Sequence, residues 1–169
     1  QVIDIASNDW YQQIVDSGVD GLLVRPSGRN EQLKQLYCER LYFVEHELHI
    51  PMYPSYFSVL LYENKRMQHY WMMINGISHA RTWIFYERNS ALDFFRTYNQ
   101  YPLVCKPNLG GKAEGVRVLK NARHSAMLLN KLFTRFKFHN PGLYRWRKYR
   151  HLFRYPVMED PQRNYIFVQ

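Results

Sequence analysis

Cysteine is scarce in this 169-residue chain: only Cys38 and Cys105 occur, far apart and each in an apolar setting. Such a pair makes no disulfide framework, so both are expected to be reduced core thiols of a cytoplasmic protein. No apolar run approaches the length that crosses a membrane, and no signal-peptide pattern opens the chain. Internal repeats and low-complexity tracts are lacking as well. Acidic residues are missing from one long stretch, with none between Glu114 and Glu159. The formal net charge of +9 is therefore unevenly placed. That excess favours an anionic partner: a nucleotide, a nucleic acid, an acidic polymer or a membrane surface. Disorder is not expected from what is abundant, since 46% hydrophobic and 17% aromatic content supports a packed core. The length suits one ordinary domain or two small ones. The first residue is Gln1 rather than Met, so a trimmed N-terminus is expected.

Residues 101–119, YPLVCKPNLGGKAEGVRVL, read as strand, glycine-bearing loop and strand. Leu103 and Cys105 alternate with Val104 and Lys106, so one face of the first strand is apolar and Lys106 belongs to the other. Pro107 and Asn108 stop that strand. Gly110, Gly111 and Gly115 free the loop from the usual φ limits, which lets backbone N–H groups close over an anion. A lysine beside such a loop is what a polyphosphate site needs. Other phosphate loops fit less well. A P-loop carries Lys-Ser/Thr after its last glycine and opens a helix, whereas this loop runs into a β-branched strand. A dinucleotide GxGxxG also opens a helix. The protein-kinase lysine follows its loop, whereas Lys106 precedes this one. A hairpin with a long solvated turn explains the same residues without any ligand.

Taken in order, residues 2–5 suit a first short strand, and Asn8 or Asp9 starts a helix that Gly18 ends. The run from Asp20 to Val24 is of buried-strand type. Leu33, Leu36, Tyr37, Leu41, Val44 and Leu48 predict a helix from Asn30 to His49, closed by Pro51 and Pro54. Strand, helix, strand, helix implies a small α/β layer with a parallel sheet. Ser55 caps a further helix with Leu60, Met67, Trp71 and Ile74 as its inner stripe, ended by Gly76. Lys65 falls on this helix, where a lone lysine commonly serves only as a solvated charge. Beyond it come a strand over 82–86, a helix begun by Ser90 and Asp93, and the 101–119 unit. Asn121 then caps a helix to Phe136 with Ala126, Leu129, Leu132 and Phe133 inside, and a last strand covers 165–168. The pattern divides at 76–78, giving domains 1–77 and 78–169.

Residues 131–155, KLFTRFKFHNPGLYRWRKYRHLFRY, interleave basic residues with Phe, Tyr and Trp. That composition pairs with phosphates and stacks on bases. The reading preferred here, since aromatics are plentiful throughout the chain, is that they pack under a sheet with arginines snorkelling outward. Asn140-Pro-Gly142 excludes one continuous helix.

The order of these parts resembles the ATP-grasp superfamily, in particular glutathione-synthetase-like and RimK-like carboxylate–amine ligases. The resemblance runs from about Asp20 to the end of the chain. Pro102-Leu-Val-Cys-Lys-Pro107 with Gly110, Gly111, Gly115 and Val116 resembles the strand bearing an ATP-contacting lysine and its glycine loop. Glu63-Asn-Lys65 resembles the family's Asp-Lys pair, with Asn64 in place of the aspartate. Residues 76–82 resemble the lead into the first strand of the ATP-grasp domain, and residues 165–169 the strand that reaches the adenine hinge. The resemblance implies an α/β fold: a small Rossmann-like pre-ATP-grasp layer, then the N-terminal α+β subdomain of an ATP-grasp fold. It implies ATP contacts at Lys65, Lys106, Gly110, Gly111, Gly115 and Gln169, with Mg2+ ligands expected outside this chain. It also implies activation of an unidentified carboxylate as an acylphosphate, attacked by an amine or thiol, with charge neutralised by lysines, N–H groups and magnesium. The family's hinge begins where the chain stops, so these residues are expected to form the N-terminal portion of a longer ligase, inactive alone. The competing class is a nucleic-acid or acidic-polymer binding module built on 131–155, which steep salt dependence would identify.

Overall fold

Ile5, Ile14, Leu41, Val44 and Val59 are the buried residues around which the first half folds. The computed structural model describes residues 1–25, 31–109, 113, 115–133 and 164–169. Helix α1 (Trp10–Ser17) stops where Gly18 takes φ 58° and returns its N–H to the Val15 carbonyl. Only glycine takes that left-handed stop without steric cost. Strand β1 (Leu22–Leu23) pairs in parallel with β2 (Met52–Tyr53), and α2 (Glu31–His46) lies between them in the chain. A parallel pairing is therefore present, but on partly different strands from those expected. Residues 2–5 form no strand: the Ser7 N–H closes a turn onto the Asp4 carbonyl at 3.0 Å, and Val2 is 92% exposed. The 20–24 run is not buried either, because Leu23 is 89% exposed. Prolines flank β2 without harm. The ladder takes the Leu22 N–H to the Pro51 carbonyl and the Val24 N–H to the Tyr53 carbonyl, and proline keeps its acceptor. Helix α2 ends at His46 rather than His49, because the Leu48 N–H turns back to the Phe43 carbonyl and His49 takes φ 54°.

The single helix expected from Ser55 to Ile74 is two helices, α3 (Tyr56–Leu61) and α4 (Lys65–Ile74). Glu63, at φ 50°, turns the chain between them. Each helix has its own cap: Ser55 accepts from the Ser58 N–H, and Asn64 accepts from the Met67 N–H. The expected inner stripe fails with the single helix, since α4 buries no residue and Ile74 is 78% exposed. Gly76 ends α4 at φ 63°, as its position predicts.

Strand β3 (Trp83–Phe85), helix α5 (Arg88–Thr97), strands β4 (Leu103–Cys105) and β5 (Arg117–Leu119), helix α6 (Ala122–Phe133) and strand β6 (Ile166–Val168) follow. The sheet is antiparallel with strand order β3-β6-β4-β5. Helices α5 and α6 cover one face of it, packing Ala91, Phe95, Leu128 and Leu129 against Leu103, Cys105, Leu119, Ile166 and Val168. Helix α5 starts at Arg88, ahead of Ser90, whose hydroxyl donates to the Glu87 carboxylate instead of capping. Asn121 does cap α6, accepting from the His124 N–H at 2.9 Å. That helix buries Ser125, Leu128 and Leu129, with Leu132 and Phe133 only half-buried, and Phe136 lies outside the described residues. The described fold is thus mixed helix and sheet with two separate buried clusters, to which residues 60–82 contribute nothing. Cys105 is buried, Cys38 half-buried, and both are free thiols. Among the described residues, no helix is long and apolar enough to cross a membrane.

Candidate functional site

Strand register lays out the face of the sheet opposite α5 and α6. Ile84 pairs with Phe167, and continuing that register sets Thr82 against Gln169 and Tyr86 against Tyr165. Cys105 pairs with Val168, and the flanking bonds join Val104 to Gln169 and the Lys106 N–H to the Phe167 carbonyl. Side chains opposite one another in an antiparallel pair share a face. Three rows result: Thr82, Gln169 and Val104; then Ile84, Phe167 and Lys106; then Tyr86, Tyr165 and Asn108. The alternation expected for residues 103–106 is observed, with Leu103 and Cys105 in the core and Lys106 on this opposite face.

Asn108 organises the third row. It is 2% exposed, and both its backbone N–H and its backbone carbonyl are engaged by neighbouring elements. Its N–H donates to the Tyr165 hydroxyl at 2.9 Å, and its carbonyl accepts the Lys65 N–H at 3.1 Å. Its side-chain Oδ1 accepts the Arg66 N–H at 2.9 Å. The first N–H groups of α4 are thereby satisfied from another part of the chain, the job that a helix N-terminus usually leaves to its own cap. A bridge between Asn64 and Leu109 fastens the same junction. Lys65 consequently stands at the first position of α4, with Nζ 3.4 Å from the Asn108 carbonyl. Burial holds the Lys65 ammonium below the usual lysine value; Glu63 opposes this, and the charge of Lys106 adds to it. Two lysines 41 residues apart in sequence are therefore close enough to repel. Arg66 adds a third cation, its guanidinium 4.8 Å over the Tyr165 ring.

Lys106 Nζ donates to Gln169 Oε1 at 2.5 Å, and Gln169 Nε2 donates to Thr82 Oγ1 at 3.0 Å. Gln169 thus ties the first row to the lysine of the second. Gly115 takes φ 72°, and a Cβ there would meet the Pro107 ring at 3.0 Å. Its glycine is required twice over, by conformation and by contact. Gly110 and Gly111 lie outside the described residues, as do residues 134–155 of the basic aromatic segment. The structure therefore brings together Lys65, Lys106 and Gln169, and seats Gly115 against the proline that follows Lys106.

Sequence reasoning missed Arg66, Asn108, Tyr86 and Tyr165. Asn108 reads as a strand stop and Tyr165 as a strand residue, and nothing in their spacing links either to Lys65. Asn64 caps α4 through its side chain, as an aspartate there would. Among the described residues, no group of three or more His, Cys, Asp or Glu side chains could hold a metal ion. No protein-family model matches the chain, and no curated protein matches it.

Proposed function

We propose that the chain is the ATP-binding part of an ATP-dependent carboxylate–amine or carboxylate–thiol ligase of the ATP-grasp kind. The observation that carries the reading is the convergence of Lys65 and Lys106 beside the loop that contains Gly115. A triphosphate concentrates negative charge, and burial that depresses the Lys65 pKa is relieved when an anion arrives. The leading N–H groups of α4 are already bonded to Asn108, so the lysine Nζ groups rather than the helix end supply the charge. In this reading Thr82 and Gln169 give the first row hydrogen-bonding groups for a base, and Ile84 and Val104 give it an apolar bed. The γ-phosphoryl passes to the substrate carboxylate as ADP leaves, and the amine or thiol then attacks the acyl carbon and releases phosphate. Lys65 and Lys106 offset the charge that develops in the first step. The described residues do not fit a magnesium site, so no step is assigned to one.

The same proposal takes residues 1–77 as a Rossmann-like pre-ATP-grasp layer and residues 78–169 as an ATP-grasp N-terminal subdomain. The parallel β1–β2 pair and the antiparallel sheet backed by α5 and α6 accord with that division. The competing polymer-binding reading rests on the composition of residues 131–155 alone. Calorimetric titration with MgATP tests the ligase reading. Replacing Lys106 by alanine should weaken binding by about tenfold or more, the worth of one charge-assisted contact. Equal affinity in the two proteins refutes it.

A further inference from the structure

Beyond Lys65 the third row ends in a cluster that the nucleotide reading does not use. The Arg66 guanidinium reaches the Tyr86 hydroxyl at 3.4 Å, and the Tyr86 and Tyr70 hydroxyls lie 3.4 Å apart. The Arg66 guanidinium also lies 4.8 Å over the Tyr165 ring, and Tyr86 lies 6.4 Å from the same ring, so both pack on one buried residue. Hydrogen-bond supply in this cluster is unbalanced. An arginine carries only donors, and each phenol carries one donor and an acceptor oxygen. If Arg66 donates to Tyr86 and Tyr86 to Tyr70, the Tyr70 proton still lacks an acceptor within the cluster. The Tyr70 phenol is pushed up to about 12 by burial and by its bond to Tyr86, so it keeps that proton at neutral pH. The Tyr70 hydroxyl and the remaining N–H groups of Arg66, with a net positive charge, call for an acceptor-only ligand.

We propose that Arg66, Tyr70 and Tyr86 form the site that holds a carboxylate of the ligase substrate. This rests on the ligase reading, because the row order places the cluster at the phosphate end of the face, past Lys106 and next to Lys65. A group held there would meet a transferring phosphoryl, and a planar carboxylate matches the guanidinium fork. Phosphate is the less suitable occupant, since the charge it needs is supplied beside the cluster by Lys65 and one row away by Lys106.

The test is an NMR titration of this chain with sodium succinate, and separately with sodium phosphate, at matched ionic strength. Saturable shifts of the Arg66 side-chain N–H and of the Tyr70 and Tyr86 rings are expected with succinate. Arg66→Gln should raise the succinate dissociation constant about tenfold and Tyr86→Phe several-fold, with Lys106→Ala within about twofold of wild type. Arg66→Lys, which keeps the charge but loses the fork, should fall between, and it serves if the glutamine variant does not fold. Absence of saturable shifts, unchanged affinity in both Arg66 variants, or an equal loss in Lys106→Ala overturns the proposal. Tighter binding of phosphate at the same resonances overturns it too, by making the cluster part of the phosphate site. MgATP titrated into the same variants should depend on Lys106 and tolerate Tyr86→Phe. Succinate binding that needs Arg66 in a chain that does not bind MgATP would overturn the substrate role while locating the fault in the nucleotide reading.

Discussion

Replacing Asn108 by alanine tests the junction on which the whole site depends. The side chain is buried, and its Oδ1 is the acceptor for the Arg66 N–H at 2.9 Å. Alanine removes that acceptor and leaves a helix-terminal N–H without it. An unsatisfied buried donor costs about 1–3 kcal/mol, more than the net worth of an ordinary hydrogen bond. The backbone bonds of Asn108 to Lys65 and Tyr165 survive the substitution, so the loss is local to the first turn of α4. Amide hydrogen exchange reads it directly. The Arg66 amide should exchange about 10- to 100-fold faster, at roughly tenfold per 1.4 kcal/mol, while amides of β4 and α6 change little. Asn108→Asp keeps an acceptor near the Lys65 ammonium and the N-terminus of α4, and should restore most of the protection. MgATP affinity should fall in the alanine variant because Lys65 loses its fixed position. If Arg66 exchange changes by less than about twofold, α4 is held by something other than Asn108, and the pinning argument is wrong.

Three further outcomes follow from the same geometry. The Lys65 pKa is depressed by burial, with Lys106 adding to the effect, and bound phosphates would raise it, so MgATP binding should take up protons in the window below 10.5 and weaken as pH rises through it. Calorimetry at about pH 9 in buffers of different ionisation enthalpy measures that uptake, and Lys65→Met should abolish it. Gly115→Ala forces a Cβ onto a φ of 72° and to 3.0 Å from the Pro107 ring, and should cost about 1–2 kcal/mol of MgATP affinity by titration. His69 Nδ1 lies 3.0 Å from His79 Nε2, and His79 Nδ1 donates to the Ile77 carbonyl, so His69 must be the donor between them. Burial lowers the His69 pKa below 6.5, with His79 adding to it, so the unfolded chain binds more protons and stability falls as pH drops below 6.5. Thermal unfolding should show that loss in wild type and less of it in His69→Asn.

Much of the fold was legible because local chemistry and tertiary context agree. Gly18 and Gly76 sit where left-handed stops are needed, Asn121 caps α6, and the alternation over residues 103–106 separates core from site. The errors occur where one signal stood for two. Leu60, Met67, Trp71 and Ile74 keep helical spacing across Glu63, so periodicity reports one helix although the chain turns there. β2 escaped because prolines on both sides speak against a strand, yet a parallel ladder that takes the Pro51 carbonyl and asks no N–H of a proline tolerates them. Residues 2–5 have the composition of a strand but pair with no strand among the described residues, and the two-stranded sheet is completed without them.

The break at residues 62–64 decides the site as well as the fold. On one continuous helix, Lys65 would fall mid-helix, and a mid-helix lysine is a solvated charge in most proteins. The turn at Glu63 makes Lys65 the first residue of a new helix, and Asn108 then holds that first turn against the end of β4. Lys106 is two residues before Asn108, so the contact that fixes one lysine sets its distance from the other. Both residues that create this convergence have ordinary local readings: Glu63 a surface acid, Asn108 a strand stop. Neither carries a signal in spacing or composition: Glu63 acts through its backbone conformation, and Asn108 through bonds to a segment more than 40 residues away. Residue types with the right chemistry were therefore identifiable one at a time, whereas their assembly depends on a turn and a buried amide that only the folded chain brings together.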